Sequence, residues 1–150
     1  KQPAARVMPF EMQVVDIQLN PRDSVMSNAE KLASIGGGGT SCSAPLEKLA
    51  DARAKVDTLI IVSDNESWMD ARRRGATETM RQWERIKQIN PKARLVCIDM
   101  QPGFWTQAPD REDILNVGGF SDSVFDVIAQ FTAGNYGAQH WVKAIEAMEL

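Results

Sequence analysis

Thr58-Leu59-Ile60-Ile61-Val62, followed at once by Ser63-Asp64-Asn65-Glu66, is the stretch that decides the fold. Five β-branched or aliphatic residues in a row, with no polar alternation, predict a strand buried on both faces, as in a parallel sheet covered by helices. The run stops abruptly in acids and amides. Downstream, Leu95-Val96-Cys97-Ile98 repeats the pattern and stops at Asp99, and Ile114 to Val117 forms a shorter run closed by Gly118-Gly119. Between the first two lies a helical pattern from Thr77 to Ile89, ended by Asn90-Pro91. Another helix runs from Ser123 to Ala133 behind a Ser121 or Asp122 cap, and a last amphipathic one from Gln139 to Leu150. Strands that alternate with helices predict an α/β layered fold with a mostly parallel sheet and helices on both faces.

Upstream, Arg6–Phe10 and Met12–Ile17 read as two brief strands, or one bent strand at a sheet edge, where Pro9 is tolerated. Asn20-Pro21-Arg22-Asp23 is a turn. Asp23 or Ser24 then caps a helix carrying Val25, Met26, Ala29, Leu32, Ala33 and Ile35 at helical spacing. Gly36 to Gly39 end it. The polar loop Thr40-Ser41-Cys42-Ser43 precedes a helix that starts at Ala44 or Pro45 and carries Leu46, Leu49, Ala50 and Ala54.

The composition narrows the function classes. The 150 residues carry 17 Lys+Arg against 20 Asp+Glu, a net charge of −3, which excludes a uniformly basic nucleic-acid binder. One His (His140) and two cysteines in unlike settings argue against a structural zinc site and a His-based triad. Cys42 and Cys97 give no framework of bridges, which points to a reducing cytoplasm. No apolar run reaches the roughly 18 residues of a membrane span. The chain starts at Lys1 and reads as a piece of a longer protein.

In open α/β sheets, ligands gather at the C-terminal ends of the strands. Gly39–Ser43, Ser63–Glu66 and Asp99 fall at or beside such ends. Hydroxyls and a carboxylate at one rim suit a hard, oxygen-liganded cation such as Mg²⁺. A nucleotide-phosphate role for the glycine run fails: it lacks the Lys of GxxxxGK[ST], does not match GxGxxG, and follows a helix instead of a strand. Arg72, Arg73 and Arg74, with Arg81 and Arg85 one helical turn apart, offer phosphate contacts, against the plainer reading of a solvated charged face. Trp68, Trp83, Trp105 and Trp141 are base-stacking candidates, but Trp83 and Trp141 lie on apolar helix faces and read as packing residues. Cys97 should be inert in its strand, and Cys42 more exposed in its polar loop.

The segment Gly38-Gly39-Thr40-Ser41-Cys42-Ser43-Ala44-Pro45, then a helix, then Leu59-Ile60-Ile61-Val62-Ser63-Asp64-Asn65-Glu66, resembles the von Willebrand factor A-type domain of Ro ribonucleoproteins, the TROVE family. Ala93–Ile98, Gly103-Phe104, Pro109-Asp110, Leu115–Phe120 and Val124–Ile128 agree in order, so the likeness covers most of residues 5–133. The resemblance implies a Rossmann-like A-type fold, here N-terminally incomplete, and a metal-ion-dependent adhesion site built from three loops. It implies Thr40 and Asp64 as metal ligands, with Ser41, Ser43 and Glu66 beside them. The cation would be Mg²⁺, with Ca²⁺ or Mn²⁺ as alternatives. For the residues alone, a turn-capping role for Asp64 and a loop-forming role for Thr40 stay open.

Two departures stand out. Ser41 occupies a position where many members carry Asp. The DxSxS motif of the first strand is absent, and Asp23-Ser24-Val25-Met26-Ser27 is only a near match inside a predicted helix. The resemblance therefore places the central strand and half the metal site outside this chain, to be supplied by the N-terminal part of the same protein or by a second copy. It also implies a non-enzymatic module of a bacterial Ro-type protein that binds small noncoding Y-type and misfolded RNAs. The rival readings are a generic A-type adhesion module for an acidic protein ligand, and a Rossmann-like enzyme using Ser63, Asp64 and Asp99, which has no usable nucleophile–base pair.

Overall fold

The structure, a computed structural model, describes residues 5–36, 39–64, 76–101, 108–109, 111–119 and 121–134. The chain divides into two compact units. The described residues of Lys1–Ala54 and Glu66–Ile89 form a helical unit, and those of Lys55–Asn65 and Asn90–Leu150 a sheet unit.

The sheet unit holds β1 (Thr58–Ser63), β2 (Arg94–Asp99) and β3 (Ile114–Gly118) in the order β1-β2-β3, both pairings parallel. Ile60 stands beside Val96 and Val62 beside Ile98; Val96 in turn meets Leu115, and Ile98 meets Val117. These side chains share one face of the sheet, because neighbours in a parallel ladder point the same way. Helix α4 (Ser123–Thr132) lies on that face through Val124, Ile128 and Phe131, which bury against Val96, Ile98 and Leu115. Their spacing of four and three is that of one helix stripe. The Arg94 guanidinium stacks on the Phe131 ring, 5.0 Å from its centroid.

The expectation of strands buried on both faces holds for β2, where Leu95 and Cys97 of the opposite face are buried as well. It fails for β1. Ile61 is buried, but Ile60 and Val62 are 46% and 48% exposed. The physical reason is position: β1 is an end strand of the described sheet. Entry into β2 is fixed by Asn90, whose Nδ2 donates to the Val56 carbonyl (2.8 Å) and to Asp57 Oδ1 (3.1 Å) while its Oδ1 accepts from the Lys92 amide.

The helical unit contains α1 (Val25–Ala33), α2 (Ser43–Asp51) and α3 (Ala76–Ile89). Ser24, not Asp23, caps α1, its Oγ accepting from the Ser27 amide at 3.0 Å. Asp23 instead pairs with Lys31 and accepts from the Asn20 side chain. None of α1's residues is buried, and Val25 is 84% exposed. Helix α2 begins one residue before the expected start and ends at Asp51, so Ala54 lies beyond it. It packs on α3, with Leu46, Leu49 and Ala50 buried on one helix and Thr79, Gln82, Trp83 and Ile86 on the other. Arg53, just past the α2 C-cap, has φ of 49°, and the chain reverses there through an Ala54 amide bond to the Leu49 carbonyl.

The two N-terminal strands expected from the sequence are not formed. Within 5–19 there is one antiparallel bridge, Phe10 to Val14, closed by a 2.8 Å bond from the Val15 amide to the Pro9 carbonyl. Among the described residues these segments have no ladder partner, and extended backbone without a partner is not a strand. No helix among the described residues is long and apolar enough to cross a membrane. The last expected helix, with His140 and Trp141, lies outside the described residues, as do Trp68 and Trp105.

Candidate functional site

Thr40 sits in the loop that feeds α2. The loop is anchored on both sides: the Ser41 amide donates to the Glu11 carbonyl at 2.9 Å, and the Ala44 amide to the Ser41 carbonyl at 3.2 Å. Ser41 and Ser43 share a hydroxyl–hydroxyl hydrogen bond of 3.1 Å, with Ser43 buried at the first position of α2. Thr40 and Ser41 are half-buried. Cys42, expected to be the more exposed of the two cysteines, is buried and in no disulfide, at the residue that enters α2.

Asp64 follows the last residue of β1 and is exposed, while Ser63 beside it is buried. The register sets Ser63 opposite Asp99, and Asp99 opposite Gly118, so all three parallel strands deliver their C-terminal ends to one rim. Backbone bonds continue the ladder past the strands: the Met100 amide donates to the Ser63 carbonyl and the Gly119 amide to the Asp99 carbonyl, each at 2.8 Å. Gly119, with φ of 83°, makes the turn away from the rim. Asp99 is buried, and its Oδ1 accepts the Gln101 amide at 3.0 Å. That bond shapes the turn after β2, so one carboxylate oxygen that the enzyme reading had reserved for chemistry has a structural use.

Asn116 is a site-shaping residue that sequence reasoning missed. Its Nδ2 donates to the Ala108 carbonyl at 2.9 Å and its Oδ1 accepts the Ala108 amide at 3.3 Å, clamping the returning loop onto β3. The signal was there: one amide inside the apolar run Ile114-Leu115-Asn116-Val117 needs a partner when half-buried.

Thr40 belongs to the helical unit and Asp64 to the sheet unit. Among the described residues no three or more His, Cys, Asp or Glu side chains gather as a metal-binding group. One hydroxyl and one carboxylate match a hard cation in chemistry but supply two of the six ligands that Mg²⁺ requires. Glu66, Arg72, Arg73 and Arg74 lie outside the described residues. Arg81 pairs with Glu78 at 2.8 Å, and Arg85 with Asp51 at 2.6 Å, tying α3 to α2.

Comparison with known proteins bears directly on this arrangement. The family model described as Ro60 vWA domain matches residues 1–132. The chain belongs to this family. The Ro60 vWA match spans both the Thr40 loop and the end of β1. The RNA-binding protein RO60 of Deinococcus radiodurans is 32% identical over 133 residues, covering 89% of this chain and 24% of that protein. The crystal structure of the Deinococcus radiodurans RO (RSR) protein superposes with a TM-score of 0.69 at 28% identity, over 85% of this chain and 25% of that one. The chain thus spans about a quarter of the length of the Ro relatives it matches. The fold expected of it, a von Willebrand factor A-type α/β fold, is the one found.

Proposed function

We propose that these residues are the A-type module of a Ro-type RNA-binding protein, a non-enzymatic part that offers a divalent cation to a partner while the rest of the polypeptide carries the RNA. The observation that bears most weight is the Ro60 vWA match over residues 1–132, together with a relative named as an RNA-binding protein that is about four times as long as the part this chain matches. The RNAs are small noncoding Y-type and misfolded species, and the compartment is the cytoplasm, where Cys42 and Cys97, which form no disulfide, stay reduced.

The cation is Mg²⁺, with Ca²⁺ or Mn²⁺ as alternatives, held by Thr40 and Asp64, with Ser41 and Ser43 beside the Thr40 loop and Glu66 beside Asp64. A site with so few anionic ligands leaves the ion under-neutralised and receptive to an acidic group of the partner. The remaining ligands come from water and from a strand of the same Ro-type polypeptide that pairs with β1. The support for that strand is β1 itself: an apolar run at the end of the sheet among the described residues, with half-exposed Ile60 and Val62.

Two measurements test the proposal. RNA binding of a structured noncoding RNA is compared between the 150-residue chain and the longer Ro-type polypeptide that includes it; affinity at least 100-fold weaker for the short chain is expected, and equal affinity overturns the division of labour. Mg²⁺ titration of the longer polypeptide and its Thr40→Ala and Asp64→Ala variants, each checked for folding by circular dichroism, tests the cation site. A drop of tenfold or more in both is expected, and unchanged affinity in both sinks the assignment while leaving the RNA result standing.

A further inference from the structure

We draw no further inference here: the strongest candidate, the open edge of β1 with its exposed Ile60–Val62 face, belongs to the strand-completion reading already proposed, and nothing in the structure shows what else covers it.

Discussion

At the scale of single residues, backbone conformation gives the clearest energetic handles. Arg53 holds φ of 49° at the end of α2, a conformation that costs a non-glycine residue about 1 kcal/mol. Replacing it by Gly (Arg53→Gly) should raise the unfolding free energy by roughly 0.5 kcal/mol, the relief being partly offset by the freer unfolded chain. Gly119 is the mirror case. An added Cβ would meet nothing within 4 Å, so Gly119→Ala isolates the cost of φ 83°, and a loss of about 1 kcal/mol is expected in urea unfolding. Opposite shifts in midpoint for the two variants are the result to look for; a stabilised Gly119→Ala would contradict it. Ser41 carries a prediction of a different kind. Its hydroxyl engages Ser43, beside the proposed cation ligand Thr40. Ser41→Asp adds a negative charge near the ion and should tighten Mg²⁺ binding by the longer polypeptide several-fold, more so at low salt. Backbone strain does not show in residue order, since it depends on where the chain turns; the Asn116 clamp left a trace, one amide inside an apolar run, but not the identity of its partner. The glycine at 119 was legible as a strand terminator; the left-handed Arg53 was not, because nothing about arginine favours that geometry.

At the scale of elements, spacing carried most of the information. The apolar runs at 58–62, 95–98 and 114–117 became β1, β2 and β3, and α3 and α4 begin and end within a residue of their patterns. Long, buried elements are legible because periodicity and burial coincide in them. The brief segments before Asn20 failed for the complementary reason. Their strand character is real as propensity, but a ladder needs a second backbone, and within 5–19 only Phe10 and Val14 meet. Helix α1 shows the same limit: its apolar positions follow helical spacing, its Ser24 cap forms, and none of its residues is buried. Element stability should track this contrast. Trp83 is fully buried between α2 and α3, with the Lys87 ammonium 5.9 Å from its ring centroid, and Phe131 anchors α4 to the sheet. Trp83→Ala and Phe131→Ala should each cost about 3–5 kcal/mol, a large share of the roughly 5–15 kcal/mol of an ordinary domain. Val25→Ser on α1 should fall within about 0.5 kcal/mol of the parent chain. Chemical denaturation followed by far-ultraviolet circular dichroism distinguishes the two groups, and a large loss for Val25→Ser would mean that α1 is buried in solution.

At the scale of the whole molecule, β1 brings sequence and structure into productive disagreement. Its composition is that of an interior strand: five apolar or β-branched residues without the Lys, Pro or inward charge with which exposed edges are protected. Its position is at the end of the sheet formed by the described residues, with Ile60 and Val62 nearly half exposed. The far edge differs: beside β3, Arg111 bridges to Ile114 and is paired with Asp113, so charge and a local bridge guard it. An interior sequence at an edge position is a template for pairing with another strand, and strand completion is the pairing proposed above. Prepared alone, the 150 residues should therefore self-associate in a concentration-dependent way, seen as rising mass in light scattering. Val62→Lys places a charge on the open face, where it remains solvated, and should shift that association to at least tenfold higher protein concentration without loss of helix or strand content. If the proposed strand of the longer Ro-type polypeptide pairs with β1, that polypeptide should be monomeric over the same range, and Val62→Lys should destabilise it by burying a charge. If the longer polypeptide instead dimerises and Val62→Lys dissociates it, the natural occupant of the edge is a second copy, and the cation site must be read as shared between chains.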